Sequence, residues 1–407
     1  MALAKPGTKL KQQARQMKEV RIGVIGVGGM GTGHVRRIES GLIKRARVTA
    51  VCDIDPRKME KFSDTYKKFT DSRKLIRSGE VDAVVIATPH YFHTTIGIDA
   101  MDCGLHTLSE KPISVHKADA ERLIAAHTRN PKLVFAAMFN QRTNPHYIKL
   151  RELIRSGDLG EIFRINWIIT DWFRTQYYYD CGDWRATWGG EGGGVLLNQC
   201  PHQLDLFQWM FGMPVQMRAF CDIGMFHHIE VEDNVTAYMK FANGATGVFI
   251  TSTGEAPGTN RLEIAADRGK VVFEGDKITW QRNTRSLADY RANEPQMWGR
   301  PEVWNVDIPA SGNGGQHDEV MQNYVDAILD KVPLIAPAEE GLKSVELCNA
   351  MLYSSFTGKT VDIPINSAAY ERHLKKLIKT STFKKNSSVD IGAGEIDMTA
   401  SNAAFKK

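Results

Sequence analysis

No run in this 407-residue chain approaches the ~18 uninterrupted apolar residues that a membrane-crossing helix needs, so a spanning segment is not expected. The start, Met1 to Val20, is polar and basic and lacks an apolar stretch before a small-residue cleavage site, which sets aside a secretory leader and makes a cytoplasmic location the expectation. Cysteine is sparse. Its six copies (Cys52, Cys103, Cys181, Cys200, Cys221, Cys348) form no Cys-x-x-Cys pair, and several fall inside apolar elements, as reduced, buried thiols do. Reduced thiols fit that pattern better than a disulfide framework or a zinc site. His227-His228 with Glu230, Glu232 and Asp233 is the nearest approach to a metal cluster, but adjacent histidines do not readily converge on one ion, so no metal is expected. Charge of one sign is also missing from the body. The net +5 sits at the ends, with +5 on residues 1–21 and +4 on residues 371–407, leaving about −4 between them. A nucleic-acid surface would put its cations on one folded face, so no such partner is expected. No internal repeat is found.

What is present is enough apolar residue, 42%, for ordinary cores, and a length natural for two domains. From residue 20 to about 142, short apolar runs alternate with helical stretches. The runs are Val20 to Ile25, Val48 to Cys52, Asp82 to Thr88, His106 to Ser109 and Leu133 to Phe139, read as parallel strands buried on both faces. Beyond Asn144-Pro145 the pattern changes to alternating segments joined by hairpin signals such as Ala242-Asn243-Gly244 and Asp267-Arg268-Gly269, which predicts a mostly antiparallel sheet. Helices are predicted over Pro145 to Ser156, His317 to Asp330, Ala338 to Thr357 and Ala368 to Lys379, and Ser381 to Lys407 has little to bury.

The chemistry begins where the first strand runs into Gly26-x-Gly28-x-x-Gly31. Gly26 permits the tight turn, Gly28 lets backbone approach a pyrophosphate, and Gly31 lets the helix pack on the strand, while unpaired N–H groups at the helix start attract the anion. The second strand ends in Asp53, 22 residues past Gly31. A carboxylate there accepts from ribose hydroxyls and repels a 2′-phosphate, which favours NAD over NADP, although Arg57 lies close. Glu110-Lys111-Pro112 follows another parallel strand, on the edge where such sheets bind ligands, so Lys111 is a candidate to take or relay a proton. The block Gly192-Gly193-Gly194-Val195-Leu196-Leu197-Asn198-Gln199-Cys200-Pro201-His202-Gln203-Leu204-Asp205 reads as a glycine-rich entry to one helix. Cys200, Leu204, Phe207 and Phe211 form its core stripe. Asn198 and His202, four apart, would share a face, with the amide orienting the imidazole. Between these blocks lies a dense aromatic stretch with Trp167, Trp172, Phe173, Tyr177, Tyr178, Tyr179, Trp184 and Trp188. Such faces stack on the C–H faces of pyranose rings, or pack a core or interface. Trp167, inside an alternating segment, reads as core.

Taken together, these motifs, with Ala87-Thr88-Pro89 and His93, resemble the glucose-fructose oxidoreductase/inositol dehydrogenase/MocA family over roughly residues 20 to 365. The resemblance implies an α/β chain: an NAD-binding Rossmann domain (20–142), a substrate-binding and oligomerisation α+β domain with a large open-faced sheet (143–366), and basic extensions at 1–19 and 367–407. It implies catalytic roles for Lys111, His202 and Asn198. NAD would be surrounded by Gly26, Val27, Gly28, Gly29, Met30, Gly31, Asp53, Ile54, Arg57, Ala87, Thr88, Pro89, His90, His93, Glu110, Lys111 and Asn140. Arg142, Arg174, Tyr178, Asp183, Trp184, Arg185 and His202 would face a sugar. One departure stands out: the position four before the histidine is usually aspartate in this family, and here it is Asn198. The implied activity is NAD-dependent oxidation, or the reverse reduction, of a secondary hydroxyl on a sugar, glycoside or cyclitol, the 3-position of glucosides included, by a homo-oligomer. Two alternatives stand beside it, an NAD-retaining redox-assisted glycosidase and a non-catalytic NAD or sugar sensor. Retention of both Lys111 and His202 argues against the sensor.

Overall fold

The computed structural model describes residues 17–385. Six parallel strands form the first sheet: β1 Val20–Ile25, β2 Ala46–Cys52, β3 Lys67–Phe69, β4 Ala83–Ile86, β5 His106–Ser109 and β6 Phe135–Ala137, in the order β3-β2-β1-β4-β5-β6. The strand order reverses between β1 and β4, which opens a crevice beyond their carboxyl ends. β4 is buried along its whole length, as expected of a strand covered on both faces. β3, with the sequence Lys-Lys-Phe, went unpredicted because it is a three-residue edge strand with two exposed lysines.

Nine strands form the second sheet: β7 Ile162–Ile169, β8 Gln216–Ile223, β9 Glu232–Lys240, β10 Thr246–Ser252, β11 Asn260–Ala266, β12 Gly269–Glu274, β13 Lys277–Asn283, β14 Val303–Ile308 and β15 Val361–Asp362. Their order is β14-β13-β12-β11-β7-β10-β9-β8-β15, antiparallel apart from the β7/β10 pair. Both hairpin signals join the strands they were expected to join. Alternate residues of β9, such as Val235, Ala237 and Met239, are buried under the helices Pro201–Phe211 and Gly341–Thr357, while Phe220 and Tyr238 lie on the open face. Cys200, Leu204 and Phe207 are buried as predicted, and Trp167 is fully enclosed. β13 was missed because Ile278 and Trp280 are its only apolar positions, and β14 because, although mostly apolar, it is largely exposed and a long connection separates it from β13.

Three features revise the expected organisation. The helix Gln316–Asp330 packs Val320, Met321, Tyr324, Val325 and Ile328 into the core of the first sheet, not the second. The helix Ser367–Thr380, expected as part of a basic extension, buries Tyr370 and Leu374 in the larger core. Arg142, expected to face substrate, is 1% exposed and gives Nε and Nη2 to the two oxygens of Asp205 at 2.7 and 2.6 Å, with Nη1 on Glu340 and the Ile335 carbonyl. A guanidinium held this way is a structural tie. Breaking such a pair strands the remaining charge. Asp205→Ala should therefore cost about 3–5 kcal/mol, read as a lowered urea midpoint; a loss under ~1 kcal/mol would show that Arg142 finds water or another partner instead.

Candidate active site

β1 delivers Gly26 into the turn and the helix Gly29–Glu39 begins at once, with Gly28 as its N-cap and no side chain capping it. The first-turn amides therefore stay available for an anion. A Cβ at Gly31 would lie 1.9 Å from the Gly26 carbonyl oxygen, whereas one at Gly28 would meet nothing within 4 Å. Gly31 is thus required for packing, and Gly28 leaves room for a ligand. Ala87, at the end of β4, closes against Gly26. Asp53 is buried, and its carboxylate accepts from the Val27 and Asp55 amides, both at 3.0 Å, so it also fixes the glycine turn. Lys58 lies 3.6 Å from it, Arg57 pairs with Asp55, and Ile54 is almost fully exposed on the rim.

The crevice floor carries buried polar groups. The His93 ring nitrogens lie 2.7 Å from the Thr88 and Pro112 carbonyls, one residue either side of Pro89 and Lys111 respectively. His34 lies 2.7 Å from Glu110. Burial alone would raise the Glu110 carboxyl, but the His34 hydrogen bond overrides it and holds the group well below the usual range. Half-buried His317, next to the His34 ring, is pushed down to about 3 by desolvation. The sequence reading missed both histidines, because each sits alone in an ordinary helix and only the fold brings them to Glu110. Thr88 Oγ1, Asn140 Oδ1 and His202 Nδ1 are buried without a partner among the described residues, while the Asn140 amide donates to Gln316 at 2.6 Å. Orphaned polar atoms beside an open glycine turn and an uncapped helix start fit a dinucleotide that brings its own donors and acceptors.

Lys111 extends from the end of β5 across the cleft, and its Nζ donates to the Asn198 backbone carbonyl at 2.7 Å. Burial lowers its proton affinity first, Arg174 and Arg185 lower it further, and Glu110 and Glu191 oppose them. His202 is held well below its ordinary value by burial and then by the nearby charge of Lys111. A neutral imidazole is a proton acceptor. The single helix expected to carry Asn198 and His202 is instead two. A short turn, Val195–Asn198, ends before Pro201 starts the helix Pro201–Phe211, because proline lacks the amide that would continue the ladder. The Asn198 amide therefore donates to the Tyr178 hydroxyl at 3.1 Å and to Glu191, not to the His202 ring.

Tyr178 sits at the centre of the aromatic stretch, with Arg174 and Arg185 guanidinium carbons 5.2 and 4.9 Å from its ring and its hydroxyl taking the amides of Asn198 and Gln199. Part of this stretch is a helical turn, Gln176–Asp180, and Tyr179, Trp172 and Trp188 are core. Trp184 packs edge-on against His90 at 5.1 Å, His90 Nδ1 lies 3.1 Å from the Glu191 carbonyl, and Asp183 is exposed. Glu191 is the other residue the sequence reading passed over, although it is the one charged residue within the glycine run 189–194. Among the described residues no group of three His, Cys, Asp or Glu side chains converges as a metal site, and no helix is long and apolar enough to cross a membrane. His227 is engaged by Asp233 and the Arg174 carbonyl.

Fold and cleft define an NAD-binding oxidoreductase. Residues 20–138 match the family model described as "Oxidoreductase family, NAD-binding Rossmann fold", and residues 147–272 match "GFO/IDH/MocA C-terminal domain". The chain belongs to the Gfo/Idh/MocA oxidoreductase family. It is 26% identical to a myo-inositol 2-dehydrogenase of Thermotoga maritima over 64% of this chain and 77% of that one. Among solved structures, the WlbA dehydrogenase of Chromobacterium violaceum, crystallised with NADH and UDP-GlcNAcA, superposes with a TM-score of 0.73 at 24% identity over 90% of this chain and all of that one. A levoglucosan dehydrogenase, crystallised with NADH and L-sorbose, does so with a TM-score of 0.70 at 20% identity over 86% and 100%. At these identities both speak to the fold. The contrast between the glycines is directly testable: Gly28→Val should melt within a few degrees of the parent yet bind NADH ~10-fold or more weakly. Unchanged affinity would mean that no pyrophosphate passes over Gly28.

Proposed function

We propose that this protein oxidises, or reversibly reduces, a secondary hydroxyl of a sugar, glycoside or cyclitol with NAD as hydride acceptor. The observation that carries this reading is the pairing of two groups of depressed proton affinity, Lys111 and His202, across one cleft at the carboxyl edge of the parallel sheet. Bound NAD would supply the hydride-accepting carbon; Gly26 to Gly31, Asp53, Thr88, His93, Glu110 and Asn140 would hold it. The chain's own residues do the rest. The Asn198 carbonyl anchors the Lys111 side chain so that it faces the cleft, where the ammonium can stabilise a developing alkoxide and the neutral amine, favoured by burial, can receive the hydroxyl proton. Neutral His202, its Nδ1 unpartnered, is the second acceptor within the same cleft. Tyr178, Trp184, Arg174 and Arg185 offer ring faces and guanidinium groups suited to a sugar, and glucosides oxidised at the 3-position are the first substrates to try.

NAD in preference to NADP is part of the proposal. What supports it is Asp53 at the end of β2, where a carboxylate would repel a 2′-phosphate, with the neighbouring Arg57 paired to Asp55. An oligomer joined through the open face of the nine-stranded sheet is also part of it, supported by the exposed Phe220 and Tyr238. A screen of cyclitols, sugars and glycosides by reduced-nicotinamide absorbance tests the reading, and aglycone release without added NAD would favour a glycosidase instead. With a substrate in hand, Lys111→Ala should lower turnover ~100-fold while leaving NADH affinity nearly intact; equal loss of both would make the lysine structural. Asp53→Ala should weaken NAD more than NADP, and an unchanged ratio would show that Asp53 does not reach the ribose.

A further inference from the structure

Glu191 is 1% exposed, yet it is neither on the dinucleotide turn nor among the residues that would hold a sugar. Oε2 accepts from the Ala186 amide at 2.8 Å, and Oε1 accepts from the Asn198 side-chain amide. The same Asn198 supplies the backbone carbonyl on which the Lys111 ammonium rests at 2.7 Å. One residue thus links a buried carboxylate to the lysine. With both amide hydrogens of Asn198 directed at Glu191 and Tyr178, its side-chain oxygen is left for a ligand. A buried carboxylate is costly to keep, and packing alone would be served by an uncharged residue. The charged or titratable groups facing Glu191 are Lys111, Arg185, Glu232, Tyr179 and Lys385, and those facing Lys111 are Glu110, Glu191, Arg174, Arg185, Cys200 and the histidines His90, His93, His202 and His317. Glu110 and Glu191 are the two acids whose charge acts most on Lys111 among the described residues, and Glu110 is already matched by His34.

We propose that Glu191 is a positioning residue of the site, holding the Asn198 segment under Lys111 and setting, by its negative charge, how tightly the lysine keeps its proton. Burial pushes the Glu191 carboxyl up to about 7, against the pull of the Ala186 amide, Asn198, Arg185 and Lys111. Below that pH it is neutral and the lysine releases its proton more readily; above it the restored charge holds the proton back. The device makes the acceptor strength of Lys111 depend on a group that does not touch the substrate.

This inference rests on the dehydrogenase reading only in giving Lys111 a task, so the test reads the lysine directly. The full-length protein, without NAD or sugar, is trace-acetylated with acetic anhydride across a pH series, and the labelling of the Lys111 peptide is followed by mass spectrometry. In Glu191→Gln the midpoint for Lys111 should fall by about one pH unit, a ten-fold change in its proton affinity, while Glu191→Asp should stay near the parent. An unchanged midpoint in folded Glu191→Gln overturns the proposal. If that variant does not fold, Asn198→Asp takes its place: an added charge on the same segment should raise the midpoint, and no rise overturns the proposal equally. A shifted midpoint in a protein that oxidises none of the sugars would leave the Glu191 assignment standing and defeat the dehydrogenase reading. Normal sugar oxidation with an unmoved midpoint would do the reverse.

Discussion

The hydrogen bond from the Lys111 ammonium to the Asn198 carbonyl is the contact on which the rest depends, because it ties the end of a strand in the first sheet to the glycine-rich entry of the second unit. Its two ends come from different parts of the fold, the loop after β5 and the turn Val195–Asn198, so the cleft exists only while both are held together. Around it, His90 meets Trp184 and the Glu191 carbonyl, and the Tyr91 hydroxyl donates to the Trp188 carbonyl at 2.8 Å. These contacts make the aromatic segment a wall of the dinucleotide crevice. Low dielectric then does the chemical work. A lysine and a histidine that would be protonated or evenly split in water are both biased toward giving up their protons.

The dinucleotide half was legible because its constraints are local. A strand, a glycine turn, a helix and a second strand ending in an acid follow one another within 34 residues of sequence, from Val20 to Asp53, and each piece has a steric reason. Apolar strands with short ends, such as β1 and β5, were placed to the residue for the same reason. The strands β3, β13 and β14, at or next to a sheet edge, were not. They are held by pairing to a neighbour, which leaves little trace in the apolar pattern.

The site shows the same division. Lys111 and His202 were singled out by position, but what surrounds them was not: His34 and His317 come together with Glu110 only across long sequence separations, and the local partners of Glu191, Ala186 and Asn198, are set by the turn around it. Arg142 was misread for a related reason. An arginine near a strand end looks like a ligand donor until the fold supplies Asp205, 63 residues on, as its fork partner. Asn198 was misread through a local rule. A four-residue spacing puts two side chains on one face only if the helix is continuous, and Pro201 ends that continuity. The glycine run 189–194 carried a usable signal, because a charge enclosed by glycines is rarely idle, and it was passed over in favour of the helix that follows.

The central claim is that Lys111 faces both a nicotinamide and a carbinol from its perch on Asn198. The most direct measurement is a crystal structure of the protein with NADH and a bound polyol. The account predicts the Lys111 Nζ within about 3.2 Å of one substrate hydroxyl whose carbon lies over the reactive edge of the nicotinamide, with His202 lining the same pocket. A structure in which Lys111 remains on Asn198 alone, with every substrate hydroxyl more than one bridging water away, would contradict it.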